Sequence, residues 1–218
     1  MKQNILLLLA ILLFQFGINL RAQHNKGLDA SGALTRLIAG NKRYIESKMT
    51  HPNQSKQRLE ETAKGQNPFA VILTCSDSRV PPEIIFDQGL GDLFVIRTAG
   101  NLVDDIGLGS IEYAVEHLGV QLIVVLGHER CGAVEAAIKG GEAPGHIKSL
   151  TGAIDPAIEE AKKEKGDLLD NSVLANVNGI VNKLKSNEPV LKELVSGKKL
   201  KIVGARYDLD DGSIKFVQ

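Results

Sequence analysis

Neither sign of charge is in surplus in this chain of 218 residues: 26 Lys and Arg stand against 26 Asp and Glu. That balance leaves no electrostatic footprint for nucleic acid. Cysteine is scarce, with two in the whole chain, and tryptophan is missing altogether. Two thiols permit one disulfide at most, so a fold stapled by several is excluded. They also fall short of a four-thiolate metal site. Internal repeats and low-complexity tracts are lacking, which argues against a repeat array. The apolar run over residues 5–14 stops at Gln15, well short of the roughly 20 residues that cross a bilayer's hydrocarbon.

What that run does resemble is the core of a secretory leader. Lys2 supplies the charged start, residues 5–14 the apolar centre, and Leu20-Arg21-Ala22 a small residue at the cut. A signal peptide is therefore expected over residues 1–22, with cleavage near Ala22, and an uncleaved anchor is the alternative. Cleavage removes Lys2 and Arg21 and leaves 24 basic against 26 acidic residues. The mature chain, residues 23–218, is then exported, periplasmic or secreted, without stable membrane insertion. Its length and the chain's 43% hydrophobic content suit a single domain with one good core.

Apolar spacing sets out the elements. Helices are expected over residues 30–48, 55–65, 105–119 and 133–138, over residues 147–165 with a solvated Lys/Glu tail, and over residues 170–184. Short helices follow Pro81-Pro82 and Pro189. Short runs over residues 69–74, 93–97 and 122–126 read as buried strands. Residues 200–207 and 214–217, around Asp210-Asp211-Gly212, read as a closing hairpin. Strands alternating with helices imply an α/β fold: a mostly parallel central sheet flanked by helices, with an antiparallel C-terminal edge strand. Ligands in such sheets sit beyond the carboxyl ends of strands, where strand order reverses.

Two strand ends carry the chemistry. VILTCSDSR closes the first with Cys75, Asp77 and Arg79, and LIVVLGHERCG closes the third with His128 and Cys131. If the extended backbone persists past Cys75, these alternate side chains share a face. Cys75, His128 and Cys131 are soft or borderline ligands, and a Cys2His set leaves one tetrahedral position of zinc for water. Asp77 is the nearest candidate to fill it, with Arg79 competing for the carboxylate. Cys131 is placed to begin a helix, whose N-terminus favours a thiolate. A Cys75–Cys131 disulfide is the plainer alternative.

Cys75-Ser76-Asp77-Ser78-Arg79 followed by Gly127-His128-Glu129-Arg130-Cys131-Gly132 resembles the paired signature of the β-class carbonic anhydrases. These enzymes interconvert carbon dioxide and bicarbonate on zinc. The resemblance runs from about residue 30 to the C-terminus and includes Ile111-Glu112-Tyr113-Ala114-Val115. It implies one Zn2+ per chain on Cys75, His128 and Cys131, with Asp77 as a fourth ligand only in a closed state. Asp77 and Arg79 are implied as the catalytic dyad, the arginine drawing the aspartate off the metal. Gln66, Phe94, Ala99 and Tyr113 are implied to line the carbon dioxide pocket, and the assembly to be a homodimer or homotetramer.

One departure is visible. Members with an inhibitory bicarbonate site carry tryptophan three residues before the first cysteine, and here that position is Ile72. Arg97 and Tyr207 resemble other parts of that site, but the tryptophan is missing, so the resemblance implies an open, plant-like resting state. Two other readings stay in view: a carbon disulfide or carbonyl sulfide hydrolase on the same site, and a non-catalytic zinc-binding or redox-sensing protein.

Overall fold

The computed structural model describes residues 28–217, and the expected leader lies outside the described residues. Helix α1, Ala30–Ile45, is capped by Asp29, whose carboxylate accepts from the Gly32 N–H at 2.7 Å. It stops three residues earlier than its periodicity predicts, because the backbone turns left-handed at Ser47 with φ 54°. Helix α2, Lys56–Thr62, starts at the expected Ser55 cap, whose hydroxyl accepts from the Arg58 N–H.

The chain then alternates. Strand β1 is Ala70–Thr74, helix α3 Pro82–Ile85, strand β2 Leu93–Arg97, a 3-10 turn Ala99–Asn101, and helix α4 Asp105–Glu116. Strand β3, Leu122–His128, leads into helices α5 (Gly132–Lys139), α6 (Ile147–Ala161), α7 (Leu168–Ser186) and α8 (Val190–Ser196). Strands β4, Lys201–Tyr207, and β5, Ile214–Val217, close the chain.

The sheet order is β2-β1-β3-β4-β5. The first three pairings are parallel and β4–β5 is antiparallel, which is the α/β architecture expected from the sequence. All of β1 and β3 is buried, because helices cover both faces. Leu37, Phe86, Val134 and Ile154 pack on one face, and Ile111, Val177, Leu184 and Leu191 on the other. Each such side chain contributes about 1.5–3 kcal/mol on leaving water.

From β1 the chain adds β2 on one side and β3 on the other. The order therefore reverses between β1 and β3, and the carboxyl ends of these strands are where ligands bind in such sheets. Strand β3 runs two residues past its expected end because β4 keeps pairing with it, Gly127 with Arg206 and His128 with Tyr207. Gly127 permits this: a Cβ there would lie 2.5 Å from Val177 Cγ2 on α7. His128 thus projects from a hydrogen-bonded strand end, held more firmly than a loop would hold it.

Candidate metal centre

Cys75 follows β1 directly, His128 ends β3, and Cys131 is the N-cap of α5. Exposure falls to 5% for Cys75 and 1% for both His128 and Cys131. Their donor atoms all lie within 4.8 Å of one another, and the two sulfurs are 4.0 Å apart. That separation is double a disulfide bond, and both cysteines are free thiols. Tetrahedral zinc–sulfur bonds of about 2.3 Å place two sulfurs about 3.8 Å apart, so the spacing fits one shared ion.

The histidine is oriented for the same purpose. Its Nδ1 donates to the Glu129 carbonyl at 2.8 Å, which leaves Nε2 with its lone pair free. Nε2 is buried without a hydrogen-bond partner, an expensive condition that a metal relieves. Glu129 is itself tied down, its carboxylate accepting from Arg206 at 2.5 Å and from the Leu209 N–H at 3.1 Å.

Charge at the site is divided between the sulfurs. A hydrogen bond from the Cys131 thiol, helped by the Asp77 and Gly100 N–H groups, pulls the Cys75 thiol well below its ordinary range. Sharing that proton and burial push Cys131 up. A divalent cation replaces the shared proton and suits both sulfurs as thiolates.

Asp77 and Arg79 meet through a turn, not through strand pleating. The extended backbone ends at Thr74, and the Arg79 N–H folds back onto Asp77 Oδ1 at 2.9 Å. The Arg79 guanidinium donates to both carboxylate oxygens, at 2.9 and 2.7 Å. The expected common face therefore does not form: Cys75 is buried, Asp77 half-buried and Arg79 exposed. Local turn hydrogen bonds outcompete continuation of an unpaired strand. Hydrogen bonds from Arg79 hold the Asp77 carboxyl down at about 2, so it is ionised at every physiological pH. Its Oδ2 lies 3.8 Å from His128 Nε2.

The sequence profile of the carbonic anhydrase family matches residues 70–214. Carbonic anhydrase 2 of Mycobacterium tuberculosis is 45% identical over 180 residues, 81% of this chain and 87% of that protein. Among solved structures, a tetrameric β-carbonic anhydrase from Sordaria macrospora superposes with a TM-score of 0.69 at 27% identity, covering 84% of this chain and 96% of that one. The chain belongs to the β-carbonic anhydrase family. A Coccomyxa β-carbonic anhydrase, solved in complex with acetazolamide, superposes with a TM-score of 0.68 at 26% identity, over 84% of this chain and 85% of that one.

This carbonic anhydrase chain does not assemble every expected residue around its own metal centre. Ala99 opens the 3-10 turn beside Cys75, whose sulfur accepts from the Gly100 N–H at 3.3 Å. Phe94 pairs with Val71 near the other end of β1, about 13 Å along the strand from Cys75. Tyr113 sits beside Phe94 with ring centroids 6.4 Å apart and planes tilted by 41°, and is 46% exposed. Gln66 precedes β1 and is exposed to solvent. Within one chain these three stand apart from the sulfurs.

The residues resembling an inhibitory bicarbonate site have other partners. Arg97 donates to the carbonyls of Cys75 and Asp77, at 3.0 and 2.5 Å, so it clamps the turn that carries the dyad. The Tyr207 hydroxyl meets that of Tyr44 at 3.2 Å, and Ile72 is fully buried. The clamp by Arg97, the Gly100 N–H···S contact and the Glu129–Arg206 tie were not legible in the sequence. Each joins residues at least 20 positions apart, and no motif spacing marks them.

Proposed function

We propose that the chain is a zinc enzyme that reversibly hydrates carbon dioxide to bicarbonate and a proton. The observation that carries this reading is the orphaned, buried Nε2 of His128 facing two free thiols. Cys75, His128 and Cys131 would hold one Zn2+ per chain, and among the described residues no fourth protein donor is committed to the group. When bound, zinc supplies Lewis acidity that brings a water in its open position to a pKa of about 7.

The remaining work falls to this chain's own residues. Arg79 holds Asp77 by two hydrogen bonds and so keeps it from taking the open position. Because the Asp77 carboxyl sits at about 2, it does not remove a proton from the nucleophile near neutrality. Instead Oδ2 accepts a hydrogen bond and aims the nucleophile's lone pair at the substrate carbon. The Arg97 clamp fixes the carbonyls on either side of Ser76, which limits drift of that oxygen.

The apolar pocket is completed by a second copy. Gln66, Phe94 and Tyr113 of one chain line the pocket of its neighbour in a homodimer or homotetramer, and Ala99 contributes from the chain that holds the metal. The exposed Tyr113 ring beside half-buried Phe94 supports this, as does the tetrameric Sordaria relative. Export through the leader over residues 1–22 completes the reading, and N-terminal sequencing of the mature protein is expected to begin near Gln23.

Stopped-flow hydration of carbon dioxide tests the reaction, with carbon disulfide and carbonyl sulfide as competing substrates. The zinc-loaded protein is expected to hydrate carbon dioxide, and Cys75→Ser to lose both zinc and activity. Turnover of a sulfur-containing gas alone would reassign the substrate. Zinc uptake with no turnover of any gas would make the protein a non-catalytic zinc binder.

A further inference from the structure

Gly100 sits at the apex of the 3-10 turn with φ 68° and ψ 22°. Its buried N–H donates to Cys75 Sγ at 3.3 Å. Such a bond draws electron density from a thiolate and so moderates its donation to a metal. The stems of the turn are fixed to β1, since the Thr98 N–H donates to the Thr74 carbonyl at 3.1 Å and the Ser76 N–H to the Thr98 carbonyl at 3.2 Å. The Asn101 N–H closes the turn on the Thr98 carbonyl at 3.0 Å, but that bond leaves the Gly100 carbonyl out, and glycine rotates between conformations more easily than any other residue. Something else holds that carbonyl, and with it the peptide plane at the apex.

That something is Asn176. It lies on α7 between Val173 and Val177, on the face buried against the sheet, and is 4% exposed. An amide there is costly unless hydrogen-bonded. Its Nδ2 donates to the Gly100 carbonyl at 2.8 Å, in a bond with no solvent access. Seven residues on, Lys183 donates to the Val103 carbonyl at 2.7 Å, so one helix grips the loop twice. Only the Asn176 grip falls on the residue that contacts the sulfur.

We infer that Asn176 is a positioning residue of the metal centre: by holding the Gly100 carbonyl it keeps the Gly100 N–H on Cys75 Sγ and sets how strongly that sulfur binds the ion. The inference rests on the proposed metal centre, and it gives the helix packed behind the sheet a part in tuning the metal. Nothing in Asn176 itself touches the ligands. Its effect passes through one glycine.

Cobalt substitution tests this, because the sulfur-to-cobalt charge-transfer band reports thiolate donation directly. In Asn176→Leu the band is expected to move to longer wavelength, because a sulfur freed of the N–H donates more strongly to the metal. Lys183→Met, which removes the other grip, is expected to lower the melting temperature with the band unmoved. A wild-type band in Asn176→Leu overturns the inference while leaving the metal centre intact. A wild-type protein with no sulfur-to-cobalt band overturns the metal centre and the inference with it. Should Asn176→Leu not fold, cadmium-113 NMR of the wild type decides. Scalar coupling between the Gly100 amide proton and the metal is expected, and its absence contradicts the inference.

Discussion

Asp77 is shared between two neighbours: its Oδ2 is 2.7 Å from Arg79 Nη2 and 3.8 Å from His128 Nε2. The guanidinium therefore decides where the carboxylate rests. Arg79→Ala releases it toward the metal position, where an ionised carboxylate is itself a competent ligand. Hydration is expected to fall about 10- to 100-fold with zinc content unchanged. Zinc analysis beside stopped-flow kinetics checks this, and loss of zinc would assign Arg79 a structural part instead.

Asp87 is buried, and several donors hold its carboxylate. It accepts from Arg43 at 2.5 Å, from the Thr50 N–H and hydroxyl at 3.0 and 3.1 Å, and from the His51 N–H at 2.9 Å. Burial raises its pKa, but these donors together outweigh burial and bring it to about 2. A folded pKa below the unfolded value of about 3.9 stabilises the protein above pH 4, and the benefit fades as pH falls toward 2. Asp87→Asn is expected to cost on the order of 2 kcal/mol at pH 7 and to flatten the stability profile between pH 4 and 2. Urea melts across that range measure both effects.

Gly127→Ala places a methyl 2.5 Å from Val177 Cγ2 and 3.3 Å from Val173 Cγ1. Helix α7 must give way at the sheet one residue before His128. A destabilisation of about 1–3 kcal/mol is expected, accompanied by weaker zinc retention in a chelator competition. Equal loss of stability with unchanged zinc retention would show that His128 is held independently of this packing.

Tyr113→Ala removes an exposed ring that stands clear of its own chain's sulfurs. If that ring serves a second copy, KM for carbon dioxide rises and zinc content stays at one per chain. Light scattering is expected to give a dimer or tetramer for the wild type. A monomer with full activity would leave Tyr113 to core packing.

Local signals made much of this legible beforehand. β1 and β3 are uniformly apolar runs, and both stop at polar, reactive residues, so the strands and the Cys75, His128 and Cys131 set could be read together. The geometry beyond the strand ends could not. Asp77 and Arg79 pair because a backbone N–H finds a carboxylate two residues back, which spacing alone does not distinguish from continued pleating. β3 reaches His128 because β4 runs beside it, a tertiary fact. Asn176 left a trace as an amide on α7's apolar stripe, but its partner lies 76 residues away. Phe94 and Tyr113 were expected from resemblance to line the carbon dioxide pocket, and one chain's topology holds them toward the opposite end of the strands from its own sulfurs.

The most direct test of the central claim is anomalous diffraction at the zinc edge from crystals of the zinc-loaded protein at mildly alkaline pH. One peak is expected per chain, within bonding distance of Cys75 Sγ, Cys131 Sγ and His128 Nε2, with Asp77 still on Arg79. A peak elsewhere, sulfurs joined as a disulfide, or Asp77 bonded to the ion under those conditions would contradict the account.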